Sequence, residues 1–137
     1  MKATRRNARE WAIQMLTAAD LNPPDDVGCM MAEFWGSMVD SRPSAGLRGF
    51  AEERVAGVLS SLKELDGILA PLLENWDLYR LGTVERAVLR MGLWELSHTD
   101  VPKPVVINEA VDLVNWFSSP KSRTLVNGVL DKYAKSI

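Results

Sequence analysis

The sequence is poor in the residues that build metal and nucleophilic sites. Its 137 residues include one cysteine, Cys29, and one histidine, His98. A single cysteine excludes an internal disulfide and a cysteine-rich zinc site, and a single histidine excludes a histidine cluster. A lone cysteine on a helix is expected to be a small core residue, and the sparse cysteine usage points to a reducing, cytoplasmic compartment. A Ser-His-Asp triad would have to use His98. That residue falls near the end of an apolar helical stretch, where a cation complements the helix dipole, so a capping role is expected of it.

Period-two alternation is missing over any length that would make a strand, and no glycine-rich loop follows a strand. No apolar run reaches the ~20 residues that span a bilayer. The stretch after the basic N-terminus, Trp11 to Ala19, is interrupted by Gln14 and Thr17 and reads as one stripe of a helix rather than a signal core. Sixteen basic side chains face eighteen acidic ones, for a formal charge of −2. That balance excludes a general nucleic-acid coat, so any polyanion contact must come from a local patch. No catalytic residue, metal or cofactor is expected.

Helices are what the sequence does contain. Apolar residues make up 47% and charged residues 25%, the balance of a single globular domain. Thr4 can cap a first helix with Ala8, Trp11, Ala12, Met15, Leu16 and Ala19 on one stripe, ended by Asn22-Pro23-Pro24. Val27, Met30, Met31, Phe34, Trp35, Met38 and Val39 repeat the spacing in a second, and a loop from Ser41 to Gly46 follows. A third begins near Leu47 and carries Phe50, Val55, Val58, Leu59 and Leu62. Asp66-Gly67 is expected to separate it from a fourth, which contains Leu69, Leu72 and Leu73.

Thr83 is expected to cap a fifth helix, with Glu85 favourably placed in its first turn. This helix is apolar nearly all round, which predicts a central, buried position. Pro104 suits the start of a sixth helix, and Ser119-Pro120 the start of a seventh. The fold class is therefore all-α, about seven helices in a bundle. Trp11, Trp94, Phe117 and Tyr133 are expected in the core, with Val88 and Met91 at its centre.

Charges that break these patterns are the most informative residues. Glu95 falls on the same side of the fifth helix as Val84, Val88 and Met91, where an unpaired carboxylate would be costly. Arg90, Asn108 and Asn127 are candidate partners by residue type, and a structural polar network is the expected outcome. Lys2, Arg5, Arg6 and Arg9 crowd the start of the first helix. Cations there oppose the dipole at ~0.3–1 kcal/mol each, and Arg5 and Arg9 repel at i, i+4. Lys121 and Arg123 repeat the anomaly in the first turn of the seventh helix. These cations read either as solvated ends or as anion sites, where free N–H groups and guanidinium forks favour phosphate.

Five segments carry a family resemblance. They are Arg5-Arg6-Asn7-Ala8-Arg9-Glu10, Val84-Glu85-Arg86-Ala87-Val88-Leu89-Arg90, Trp94-Glu95-Leu96, Val105-Val106-Ile107-Asn108-Glu109-Ala110-Val111 and Val126-Asn127-Gly128-Val129-Leu130-Asp131-Lys132. In order and spacing the chain resembles the NusB family of bacterial transcription antitermination factors, least so between Leu21 and Leu47. The resemblance implies one NusB-like domain with helical subdomains at about 1–64 and 65–137. It implies binding to single-stranded boxA-type RNA, pairing with the ribosomal protein NusE, and action in an RNA polymerase antitermination complex that promotes ribosomal RNA transcription.

By the same resemblance Arg5, Arg6 and Arg9 would contact RNA, joined by Lys2, Lys121 and Arg123, and Glu85 would face the protein partner. Replacing Arg5, Arg6 and Arg9 together is expected to leave the fold intact. The chain departs from the family at Asn7, where many members have another arginine. It departs again at Lys121, usually acidic; at Thr124, usually basic; and at Leu125, commonly a phenylalanine that touches RNA. An alternative reading is a NusB-like interaction or homodimerising module with weak or lost RNA binding. A third, the NusB-like domain of some ribosomal-RNA cytosine methyltransferases, is set aside because no strand-rich cofactor domain appears up to Ile137, and no enzymatic activity is expected.

Overall fold

A computed structural model describes residues 2–38, 43–74, 77–117 and 119–137, with only the backbone at 117. Among these residues it forms seven α-helices and no strand: α1 (Arg5–Leu21), α2 (Val27–Gly36), α3 (Ala45–Ser60), α4 (Leu62–Leu72), α5 (Thr83–His98), α6 (Lys103–Phe117) and α7 (Pro120–Ser136). A short 3-10 turn at Leu78–Arg80 leads into α5. The all-α expectation holds, and among the described residues no helix is long and apolar enough to cross a membrane.

α5 is the axis of the fold. Ten consecutive residues, Ala87 through Leu96, are buried, as an all-round apolar helix requires. Val88 and Met91 lie at its centre, fully or almost fully enclosed. α1 runs antiparallel to it: Arg9 near the start of α1 meets Glu95 near the end of α5, while Asp20 at the far end of α1 meets Arg86. α7 runs parallel to α5. Ser122 reaches Glu85, Leu130 packs on Gly92, and the Tyr133 hydroxyl lies 2.8 Å from that of Ser97. α6 returns antiparallel to α7, where the Lys103 ammonium caps the carbonyls of Ala134 and Ile137.

Local chemistry sets most helix starts. The Asn7 side chain accepts from the Thr4 backbone N–H at 2.9 Å, half of a reciprocal N-terminal cap. Asp26 caps α2 through the Cys29 N–H, and Ser44 caps α3 through the Leu47 N–H. Pro120 occupies the first position of α7 after Ser119.

Several boundaries differ from the sequence reading. Gly82, not Thr83, is the residue preceding α5, and Thr83 is its first helical residue. The break between α3 and α4 falls at Ser61, and Asp66-Gly67 lies inside α4. The Asp66 carboxylate accepts from Nε and one terminal nitrogen of Arg90, each at 2.8 Å. That tie fixes a turn which Gly67 alone would loosen by only about 1 kcal/mol. Cys29 is exposed rather than in the core. α2 packs inward through Val27, Met30, Met31, Phe34 and Trp35, and position 29 lies off that stripe.

Of the expected core aromatics, Trp94 is buried, whereas Trp11 and Tyr133 are only partly so. Trp11 meets Trp35 edge-on, with centroids 5.8 Å apart. The Phe117 side chain and Val39 lie outside the described residues.

Candidate nucleic-acid interface

The basic start of α1 divides into a buried half and an exposed half. Arg9 is 4% exposed. Its Nε and terminal nitrogen donate to the two oxygens of Glu95 at 3.0 and 2.8 Å, the bidentate geometry in which an arginine–carboxylate pair is strongest. Arg54 of α3 donates to the same carboxylate at 3.3 Å. The network expected at Glu95 is therefore present, but with different partners: Arg9 and Arg54 instead of Arg90, Asn108 or Asn127. Arg90 is engaged elsewhere, with Asp66 and Asp20. Burial works against the Arg90 cation, but the bonds from Asp66, and then Asp20, outweigh it and raise its pKa.

Two buried guanidiniums share one buried carboxylate, and Arg54 has a second, exposed partner in Glu53 at 3.3 Å. The Phe50 ring adds a further contact. The guanidinium carbons of Arg54, Arg9 and Arg5 lie 3.5, 5.1 and 5.2 Å from its centroid, within cation–π range. Burial nevertheless pulls the Arg54 guanidinium below its ordinary pKa, opposed by Glu95. Its Nε has no hydrogen-bond partner among the described residues. Sequence reading missed Phe50 and Arg54 as members of this site. The signal was available: Arg54 interrupts the buried stripe Ala51, Val55 and Val58, as Glu95 interrupts that of α5.

Lys2, Arg5 and Arg6 form the exposed half. Arg6 lies across α6, donating to Glu109 at 3.1 and 3.2 Å and to Asp112 at 2.8 Å. The hydrogen bond and charge of Glu109 raise its pKa.

Lys121 and Arg123 are exposed in the first turn of α7, at the other end of α5. Because α5 and α7 run parallel, they neighbour Glu85. Ten residues separate Glu85 from Glu95, about 15 Å along a helix axis. The six cations singled out in the sequence thus form two groups, not one cluster. Glu85 itself is half-buried, and its Oε1 accepts from the Ser122 hydroxyl at 2.9 Å. Leu125 is half-buried in a shallow groove against Leu72 and Leu73. His98 stacks on Trp94 and places Nδ1 3.3 Å from the Trp94 carbonyl, in the last turn of α5.

A sequence profile of the NusB family matches residues 6–135. The chain belongs to the NusB family. It is 37% identical over 136 residues to the transcription antitermination protein NusB of a Nitratiruptor species, spanning 98% of this chain and 94% of that one. The NusB protein of Sodalis glossinidius is 40% identical over 136 residues, with the same shares covered. Among solved structures, T. maritima NusB superposes with a TM-score of 0.86 at 29% identity, covering 98% of this chain and 93% of that one. A crystal structure of the antitermination factors NusB and NusE in complex with dsRNA superposes with a TM-score of 0.84 at 29% identity, covering 97% of each chain.

Proposed function

We propose that this protein is an RNA-binding transcription antitermination factor, without enzymatic activity, that binds boxA-type single-stranded RNA together with NusE in the cytoplasm. The observation that carries this reading is family membership across nearly the whole chain, together with a fold that superposes end to end on a relative crystallised with NusE and RNA. The helices would form one domain with two subdomains divided at about residue 64, and α5 would serve both.

In this reading the RNA contacts are Lys2, Arg5 and Arg6 at the start of α1 and Lys121 and Arg123 at the start of α7. Phosphate there gains from cations set beside free helix N–H groups. Arg9 holds the site rather than touching RNA, because it is buried against Glu95 whereas Arg5 and Arg6 are exposed. Glu85 is assigned to the protein partner.

Titration of a fluorescent boxA-type RNA by anisotropy, with and without NusE, tests the proposal. Saturable binding that tightens when NusE is present is expected. Absence of RNA binding under both conditions would move the reading to an interaction module, which light scattering would register as self-association.

A further inference from the structure

Trp116 is 76% exposed, although an indole has more apolar surface to hide than any other side chain. It stands in the last turn of α6. Glu109, Asp112 and Trp116 follow one another at i, i+3 and i+7, so they share one face of that helix. Arg6 identifies the face, since it lies across the first two of these residues. At 1.5 Å per residue the indole sits about 6 Å along the axis from Asp112 and about 10 Å from Glu109. α7 begins four residues further on, and its first turn presents Lys121 and Arg123. Both are exposed, and neither has an ion-pair partner among the described residues. Trp116 therefore occupies the interval between the two basic groups.

We propose that Trp116 is a base-stacking platform for single-stranded RNA, bridging phosphate contacts at Arg5 and Arg6 to those at Lys121 and Arg123. The inference rests on the RNA-binding reading above and adds a residue to it. Cations on both sides complement a polyanion, and an indole face between them offers what an unstacked base can use. A protein partner would be met by a wider apolar patch, whereas the exposed residues flanking Trp116 in the sequence are Asn115, Ser119, Pro120 and Lys121. Arg6 offsets one of the two negative charges of Glu109 and Asp112, and the exposed Arg5, Lys121 and Arg123 supply the attraction for a strand. Leu125 cannot stack a base, and it is turned into the groove beside Leu72 and Leu73.

Stacking has a signature that separates it from phosphate binding: it releases no counterions. Trp116→Leu should weaken binding of a 12-nucleotide single-stranded boxA-type RNA by about tenfold, within the range of one stacked base, at an unchanged slope of log affinity against log salt. Trp116→Phe should stay within about threefold of the parent, and affinity for a duplex of the same sequence, whose bases are already stacked, should not respond to either change. Thermal melts should match the parent, since the side chain is exposed.

Parent-like RNA affinity in Trp116→Leu would overturn the proposal. So would an altered salt slope, or unchanged RNA affinity with weakened NusE binding, which would make Trp116 part of a protein interface. If the parent protein binds no RNA at all, the functional reading fails and this inference falls with it.

Discussion

Arg9 grips both oxygens of Glu95, at 3.0 and 2.8 Å, across 86 residues of sequence. Side-chain exposures of 5% and 2% place the pair in the interior. Two helix stripes that each contain a wrong residue are thereby reconciled, because each misplaced charge is the other's partner. The consequence for mutagenesis reverses the expectation from sequence. Removing one member strands a buried charge, which costs about 3–5 kcal/mol. Arg54 keeps one bond to Glu95, so Arg9→Ala should lose about 3 kcal/mol, the lower end of that range. Replacing Arg5, Arg6 and Arg9 together should therefore destabilise the protein rather than leave the fold intact. Urea denaturation of Arg9→Ala decides this; a midpoint equal to the parent's would mean that the pair contributes nothing.

With Arg9 committed to the interior, Arg5 and Arg6 are the arginines of α1 that the proposed function leaves to meet phosphate. Arg5→Ala/Arg6→Ala should keep the parent melting temperature within a few degrees, because the Arg6 ion pairs are largely exposed and exposed pairs contribute little. Its affinity for single-stranded RNA should fall, and the log–log salt slope should flatten by about 1.4, or 0.7 for each lost phosphate contact. Anisotropy at several salt concentrations measures both quantities. An unchanged slope would show that neither arginine touches phosphate.

Glu85 offers a way to separate partner binding from stability. Glu85→Lys should weaken NusE binding at least tenfold. It should also lower stability by about 1 kcal/mol, because the hydrogen bond from Ser122 is lost and a cation replaces an anion in the first turn of α5. Glu85→Gln keeps an acceptor for Ser122 and removes only the charge. If calorimetry finds NusE binding weakened in Glu85→Lys and intact in Glu85→Gln, shape rather than charge governs the contact. Parent-like binding by both would exclude Glu85 from the interface.

Periodicity made most of the helices legible in the sequence, and α5 most clearly, since its apolar residues are spread round nearly the whole helix and leave only a narrow outward face. Thr4 and Pro120 likewise marked real helix starts. The α3–α4 break was misplaced because Asp66-Gly67 looks like a turn locally. What holds it helical is Arg90, 24 residues away, and no local pattern contains that tie. The site was half legible for the same reason. Glu95 announced that a partner must exist but not which one. Three arginines in five residues looked equivalent, and only the packing of α1 against α3 and α5 turns Arg9 inward while Arg5 and Arg6 face out. Arg54 and Phe50, from the third helix, complete the arrangement.

That packing depends on a glycine whose role no sequence pattern declares. A Cβ on Gly57 would lie 2.3 to 2.4 Å from three atoms of the Trp94 indole, far inside van der Waals contact. The ring has little room to retreat, since His98 stacks 5.5 Å away on it and the Arg54 guanidinium lies 5.9 Å from it. Gly57→Ala in an isolated helix would gain about 1 kcal/mol of propensity. Here α3 must instead move away from α5 or Trp94 must leave its pocket, and overpacking of this kind typically costs about 1–3 kcal/mol. The net expectation is destabilisation by up to about 2 kcal/mol, with a changed near-ultraviolet circular dichroism signal from Trp94. The displacement should also reach the basic site, because Arg54 departs one turn from Gly57 and shares Glu95 with Arg9. Gly57→Ala should therefore weaken RNA binding several-fold although residue 57 carries no charge. Gly49→Ala in the same helix, where a Cβ meets nothing within 4 Å, should stabilise or leave stability unchanged. If thermal melts rank the two variants in the opposite order, the close approach of α3 to α5 at Trp94 is wrong.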